Sequence, residues 1–270
     1  MTQVETAYAK LNLALHVRRR RDDGYHELET LFAFVDAGDR LTARTAEQDK
    51  VSVAGEFAPA LGSPFGNLVS RALGALPRPD GMAITLEKNI PVAAGLGGGS
   101  ADAGAVFRLV RERHGLPEDW PARAVRLGAD VPACVESQPC IGRGTGAELS
   151  PVANDLSGSP VLLVNPREPL ATSAVFARWD GVDRGALPAG KMRDVARGGR
   201  NDLEPAAIAL CPPVADVLAS LRATDAWLVR MSGSGATCFA LFDDPAERDA
   251  AAASIAAAHP RWWMLAGALR

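Results

Sequence analysis

No run of about 18 consecutive apolar residues occurs in this 270-residue chain, so no membrane-spanning helix is expected. The opening MTQVETAYAK lacks the basic and apolar regions of a signal peptide, and none is expected. Lysine is scarce, appearing only at Lys10, Lys50, Lys88 and Lys191. The other basic residues are arginines, and the net charge is −3 with a pI near 5.9. A nucleic-acid surface usually brings a pI above about 9, so neither nucleic acid nor membrane is an expected partner. The four cysteines, Cys134, Cys140, Cys211 and Cys238, contain no C-x-x-C pair. They read as small buried hydrophobes of a reducing, cytoplasmic protein. The four histidines have no zinc-type spacing.

What is present is ordinary globular composition, 47% hydrophobic and 23% charged, enough for one large domain or two. In YAKLNLALHV, residues 8–17, Leu11, Leu13, Leu15 and Val17 alternate with Lys10, Asn12, Ala14 and His16. That period predicts a strand with one buried face, with Lys10 and Asn12 together on the other. Arg18 to Arg21 and Asp22-Asp23-Gly24 read as a solvated turn, with an extended stretch from Tyr25 to Val35. Residues 82–88 read as a second strand. Ala103, Val106, Phe107 and Val110 then predict a helix from near Ser100 to Gly115. The Gly-rich stretch 142–154 reads as a loop with a domain boundary near Pro151, and 180–201 as a long surface loop with a short helix. Val214–Leu221 and Pro245–Ala258 read as helices; VLLV at 161–164, Trp227–Met231, Thr237–Phe242 and the C-terminal RWWMLAGAL read as strands. Mixed elements without strict β-α-β alternation predict an α+β fold.

The strongest chemical signal is Gly95-Leu96-Gly97-Gly98-Gly99-Ser100 opening a helix. Glycines admit close backbone approach, and a helix N-terminus offers unpaired N–H groups, a combination suited to phosphate. Neither familiar phosphate fingerprint fits. Counting from Gly95, Ser100 stands where G-x-x-x-x-G-K-[ST] and G-x-G-x-x-G both need glycine.

The segment Pro91-x-x-x-Gly95-Leu96-Gly97-Gly98-Gly99-Ser100-Ala101 resembles the phosphate loop of the GHMP kinases, the superfamily of galactokinase, homoserine kinase and mevalonate kinase. Ala9-Lys10-Leu11-Asn12-Leu13 is similar to its N-terminal strand motif, and Met231-Ser232-Gly233-Ser234-Gly235-Ala236 to its C-terminal glycine motif. Asp23-Gly24-Tyr25-His26-Glu27-Leu28 with Thr30-Leu31-Phe32, Leu127-Gly128-Ala129-Asp130-Val131-Pro132 and Asn201-Asp202-Leu203-Glu204-Pro205 narrow the likeness. They resemble the branch whose acceptor is a cytidine diphosphate ester. Two departures are Ser100-Ala101-Asp102 and the longer Gly144-Thr145-Gly146-Ala147-Glu148.

The resemblance implies a two-lobed fold, with residues 1–151 as the ATP-binding lobe, 152–270 as the C-terminal lobe, and the site in the cleft between them. It implies ATP-dependent phosphorylation of the 2-hydroxyl of a methylerythritol moiety, in the non-mevalonate isoprenoid pathway. The protein would use ATP with Mg²⁺ and act on a small molecule, as a monomer or weak homodimer. Lys10 and Asp130 would be catalytic, Asp130 as base. Pro91, Gly95, Leu96, Gly97, Gly98, Gly99, Ser100 and Ala101 would hold the ATP phosphates, with Ser100 the candidate for reaching Mg²⁺. Asn67, Leu68 and Lys88 would lie near adenine, and Asn12, Tyr25, His26, Phe32 and Phe176 would meet the acceptor. The five tryptophans read as structural. A mevalonate- or homoserine-type kinase is the alternative within the superfamily, and Tyr25-His26 argues against it. An inactive nucleotide-binding protein is the alternative outside catalysis, and the joint presence of Lys10 and Asp130 argues against it.

Overall fold

The computed structural model describes residues 2–61 and 67–270. Two long strands, β1 (Gln3–Arg20) and β2 (His26–Ala46), form a hairpin whose turn is closed by Arg21 N donating to Tyr25 O at 2.8 Å. Arg18, Arg19 and Arg21 form ion pairs with nearby carboxylates around this end, in keeping with a solvated turn. The alternation in β1 is real, but its second face is not solvated: every residue from Ala9 to Val17 is buried. Lys10, Asn12 and His16 are therefore interior polar groups, which must find partners inside the protein.

Contacts group into two units. One holds Met1–Lys10, Ala37–Val92 and Gly97–Gln138; the other holds Leu11–Asp36, Ala93–Leu96 and Pro139–Arg270. This differs from a single cut at 151, because β1 and β2 each run through both units.

In the first unit, β3 (Lys50–Ala54) runs parallel to β4 (Gly81–Glu87), which pairs antiparallel with the C-terminal half of β2. The helices are α1 (Leu68–Ala75), α2 (Gly98–His114), α3 (Trp120–Leu127) and α4 (Val131–Glu136). Helix α2 is apolar along most of its length, with Ala103, Ala105, Val106, Phe107, Leu109 and Val110 fully buried. It ends at Gly115 in a positive-φ conformation (77°), the usual stop for a helix.

In the second unit, β5 (Cys140–Gly144) and β6 (Glu148–Pro151) form a hairpin where a loop was expected. β5 also pairs with the first half of β2. The unit continues through β7 (Pro160–Asn165), α5 (Thr172–Ala177), α6 (Met192–Gly198), α7 (Glu204–Leu210), α8 (Pro213–Arg222), β8 (Leu228–Met231), β9 (Cys238–Leu241), α9 (Pro245–Ala258) and β10 (Trp263–Ala268). A four-stranded antiparallel sheet in the order β10-β7-β9-β8 carries the second core. Val214, Val217, Leu218 and Leu221 of α8 recur at helical spacing and belong with Leu162, Val164, Ala240 and Phe242 to one buried cluster. Each such side chain is worth about 1.5–3 kcal/mol of burial. All four cysteines are buried free thiols, and no helix among the described residues is long and apolar enough to cross a membrane.

Candidate active site

In the first unit the site is built around Lys10 and Asp130. Lys10 is 4% exposed near the middle of β1, and its Nζ lies 3.0 Å from Asp130 Oδ2. Asp130 precedes α4 at the N-cap position, yet its side chain makes no capping bond. Pro132 in the first turn removes one N–H that a cap would satisfy. The carboxylate is turned instead to the lysine, and its side chain keeps 32% exposure. One partner is dry and the other reaches solvent, an arrangement that leaves the carboxylate accessible to a substrate.

The glycine loop ends where α2 begins. Gly97 occupies the N-cap with φ 61° and ψ 24°, a left-handed conformation that glycine adopts without strain. A Cβ there would sit 2.8 Å from Lys10 Cε and 3.8 Å from Asp130 Oδ2. The start of α2 thus lies directly against the ion pair. By helix geometry the first N–H groups of α2, from Gly98 onward, have no acceptor one turn back, an arrangement that suits an anion. Ala101, whose N–H donates to Gly97 O at 2.8 Å, closes that first turn.

Asn67 caps α1, its Oδ1 accepting from Ser70 N at 2.9 Å, while its buried Nδ2 has no partner among the described residues. Leu68 Cδ1 lies 3.1 Å from where a Gly99 Cβ would be, so Leu68 adjoins the loop. Lys88, expected near adenine, is an interior residue just beyond the end of β4. It is 1% exposed, with its ammonium paired to Asp39 and to Asp102 at 2.9 Å. Both carboxylates escaped sequence reasoning. Asp39 lies inside a strand, and Asp102 reads as an ordinary first-turn helix residue.

Each expected acceptor residue lies in the second unit. Asn12 Nδ2 donates to Thr30 Oγ1 at 2.7 Å, Thr30 Oγ1 donates to Ala14 O at 2.8 Å, and Asn12 N donates to Ser232 Oγ at 3.2 Å. Ser232 Oγ in turn donates to Gly95 O at 2.8 Å, tying the C-terminal glycine motif to the loop's start. His26 meets Phe176 at 5.0 Å with the rings tilted by 40°, and meets Trp179 edge-on at 5.7 Å. Burial, helped by the charge of Arg20, lowers the His26 pKa below the usual histidine value. Tyr25, next in the chain, is 66% exposed. In the sequence Trp179 reads only as structural, and its spacing of three from Phe176 is the available signal. Phe32 is a correction. It is 1% exposed, and its ring edge fills the space over Gly142, so it is a core residue rather than a contact surface.

The model of the GHMP kinases N terminal domain matches residues 67–138, and that of the GHMP kinases C terminal region matches 184–261. A 4-diphosphocytidyl-2-C-methyl-D-erythritol kinase of Novosphingobium aromaticivorans is 68% identical over 270 residues, spanning all of this chain and 94% of that protein. The chain belongs to the 4-diphosphocytidyl-2-C-methyl-D-erythritol kinase family. A kinase of the same name from Rhodopseudomonas palustris is 44% identical, covering all of this chain and 98% of its own. A crystal structure of a 4-(cytidine 5'-diphospho)-2C-methyl-D-erythritol kinase superposes with a TM-score of 0.79 at 35% identity, covering 100% of this chain and 99% of that one. Homoserine kinase from Cytophaga hutchinsonii shares the fold at a TM-score of 0.74 but only 17% identity, covering 99% and 95%. The protein is an ATP-dependent small-molecule kinase with the α+β GHMP kinase fold.

Proposed function

We propose that this kinase transfers the γ-phosphoryl group of ATP to the 2-hydroxyl of 4-diphosphocytidyl-2-C-methyl-D-erythritol, giving ADP and the 2-phosphate, within non-mevalonate isoprenoid synthesis. The observation that carries the mechanism is the Lys10–Asp130 pair at 3.0 Å beside the start of α2. Asp130 accepts the proton of the acceptor hydroxyl. The hydroxyl oxygen bonds to the γ-phosphorus, the bond to the β-bridging oxygen breaks, and ADP leaves with that electron pair. Lys10 holds the carboxylate in place and faces the charge that builds on the transferring group.

Pro91 and Gly95–Ala101 wrap the phosphates, with the first amides of α2 as donors. Asn67 and Leu68 meet adenine, and the unpartnered Asn67 Nδ2 is a donor suited to a base edge. Asn12, held by Thr30, orients the acceptor. Tyr25, His26 and Phe176 take the cytosine, where flat rings suit a nucleobase. Among the described residues no trio of His, Cys, Asp or Glu is placed to hold a metal. The Ser100 hydroxyl in the first turn of α2 is a hard oxygen donor, and it fits a Mg²⁺ carried mainly by the ATP phosphates and water. When bound, Mg²⁺ supplies charge neutralisation on the phosphates. The kinase works in the cytoplasm as a monomer or weak homodimer, and its four buried free thiols suit that reducing compartment.

An ADP-release assay over a panel of alcohols tests this reading. Turnover with the cytidine diphosphate ester alone supports it. Turnover with mevalonate or homoserine would transfer the protein to another GHMP activity, and no turnover with any alcohol would leave only nucleotide binding.

A further inference from the structure

The segment Asn201-Asp202-Leu203-Glu204-Pro205 has no part in the chemistry above. Most of it lines a cavity of about 350 Å³ in the second unit, and none of the residues assigned to ATP or to the acceptor lines that cavity. Four guanidiniums, those of Arg184, Arg200, Arg222 and Arg230, line it against the two carboxylates of Asp202 and Glu204. A concave site with an excess of one charge gathers ions of the other.

The two carboxylates are already engaged. Asp202 Oδ2 accepts from Val17 N at 2.8 Å, and its Oδ1 accepts from Arg200 Nε at 2.7 Å. Glu204 Oε1 accepts from Arg222 Nη2 at 3.1 Å, and its Oε2 accepts from Met231 N at 3.3 Å. Arg184 pairs with Asp180, which is not part of the lining. Arg230 on β8 differs from the other three. It is 9% exposed and has no ion pair among the described residues. It donates instead to the carbonyls of Leu13, Ala196 and Gly199. A guanidinium has more N–H donors than three carbonyls take up, and carbonyl dipoles do not cancel a full charge. Burial, opposed by Glu204, pushes the Arg230 pKa down to about 10, so the cation is held at a cost. A buried positive charge without a counter-ion thus stands in the wall of a cavity. On the rim, exposed Arg222 gives one N–H to Glu204 and keeps the rest of its fork for a ligand.

The lining also sets the class of ligand. It holds no aromatic ring on which a base could stack, and its apolar side chains are only Pro205 and Val229. The volume lies at the lower end of ligand pockets, which run from about 300 to 1,000 Å³. Guanidinium forks recognise phosphate oxygens two at a time. We propose that this cavity binds a small free polyanion of the pyrophosphate kind, which supplies the counter-charge of Arg230 and is held independently of ATP.

The test is calorimetric titration of inorganic pyrophosphate into the kinase already saturated with a non-hydrolysable ATP analogue, which fills the helix-end phosphate site. Mg²⁺ is left out so that chelation contributes no heat. One further site should bind. The double variant Arg184→Gln/Arg222→Gln neutralises two exposed guanidiniums and should bind pyrophosphate about tenfold or more weakly, with affinity for the ATP analogue unchanged. Arg111→Gln, which removes the same charge from an exposed site in the first unit, should bind as the parent does. Pyrophosphate should raise the melting temperature of the parent more than that of the double variant. If the double variant does not fold, Arg222→Lys takes its place; it keeps the charge, loses the fork, and should still weaken binding severalfold. No binding to the ATP-saturated parent overturns the proposal, and so does equal weakening in Arg111→Gln and the cavity variant. Failure of the parent to bind the ATP analogue would instead count against the assignment of the helix end.

Discussion

Replacing Asp130 by Asn tests the catalytic pair most sharply, because the two side chains have nearly the same shape. The amide oxygen can still accept from Lys10 Nζ, now 3.0 Å from the carboxylate, so the nearly dry lysine keeps a partner. Asp130 itself is about one-third exposed, and the lost ion-pair energy is screened accordingly. The folding cost should be about 1 kcal/mol or less. The chemical cost is larger. General-base action is worth about 10² to 10⁴ in rate, or about 3–5 kcal/mol at 1.36 kcal/mol per decade. Asp130→Asn should therefore melt close to the parent, bind both substrates, and lose about two to four decades in single-turnover phosphoryl transfer. Lys10→Ala should also slow the step. The double variant should lose less than the product of the two single losses, since the residues act as a unit. A folded Asp130→Asn enzyme whose chemical step lies within about threefold of the parent would refute the reasoning and leave positioning to carry the rate.

Three further outcomes follow from the geometry. Gly97→Ala forces a left-handed φ of 61° on alanine and brings Cβ to 2.8 Å from Lys10 Cε, so it should cost about 1 kcal/mol in stability and weaken ATP-analogue binding in calorimetry. Tyr25→Ala removes an exposed ring and should weaken acceptor binding by about 1–3 kcal/mol with ATP affinity unchanged, and the reverse pattern would reject the base pocket. Burial holds the His16 pKa below 6.5, while Nδ1 lies 3.0 Å from Gly185 O and Nε2 accepts from Arg200 N. Neutral His16 therefore contributes stability that is present above pH 6.5 and lost as pH falls through the depressed value, so melts between pH 7.5 and 5 should drop more for the parent than for His16→Gln.

Much of this was legible in the sequence, and the exceptions have physical causes. The strand around Lys10 and the helix after the glycine loop announce themselves by period, because one face of each meets a continuous core. The burial of the second face of β1 is not legible, since alternation records residue polarity and not what covers it. The β5–β6 hairpin reads as loop because Gly142, Gly144 and Gly146 mask its pairing. Asp130 stands out as a lone carboxylate in an apolar segment. That it forgoes capping for Lys10 depends on residues 120 positions apart, which local pattern cannot reveal. The burial of Lys88 between two carboxylates is hidden for the same reason: Asp39 and Asp102 converge on it only in three dimensions.

The central claim is phosphoryl transfer to one hydroxyl of one acceptor. Incubating the kinase with ATP, Mg²⁺ and 4-diphosphocytidyl-2-C-methyl-D-erythritol, and reading the product by phosphorus and carbon magnetic resonance, tests it directly. A new phosphomonoester coupled to carbon 2, formed together with ADP and formed about two to four decades more slowly by Asp130→Asn, is the predicted result. A phosphate on any other hydroxyl, or ADP formed without a phosphorylated acceptor, would contradict the account.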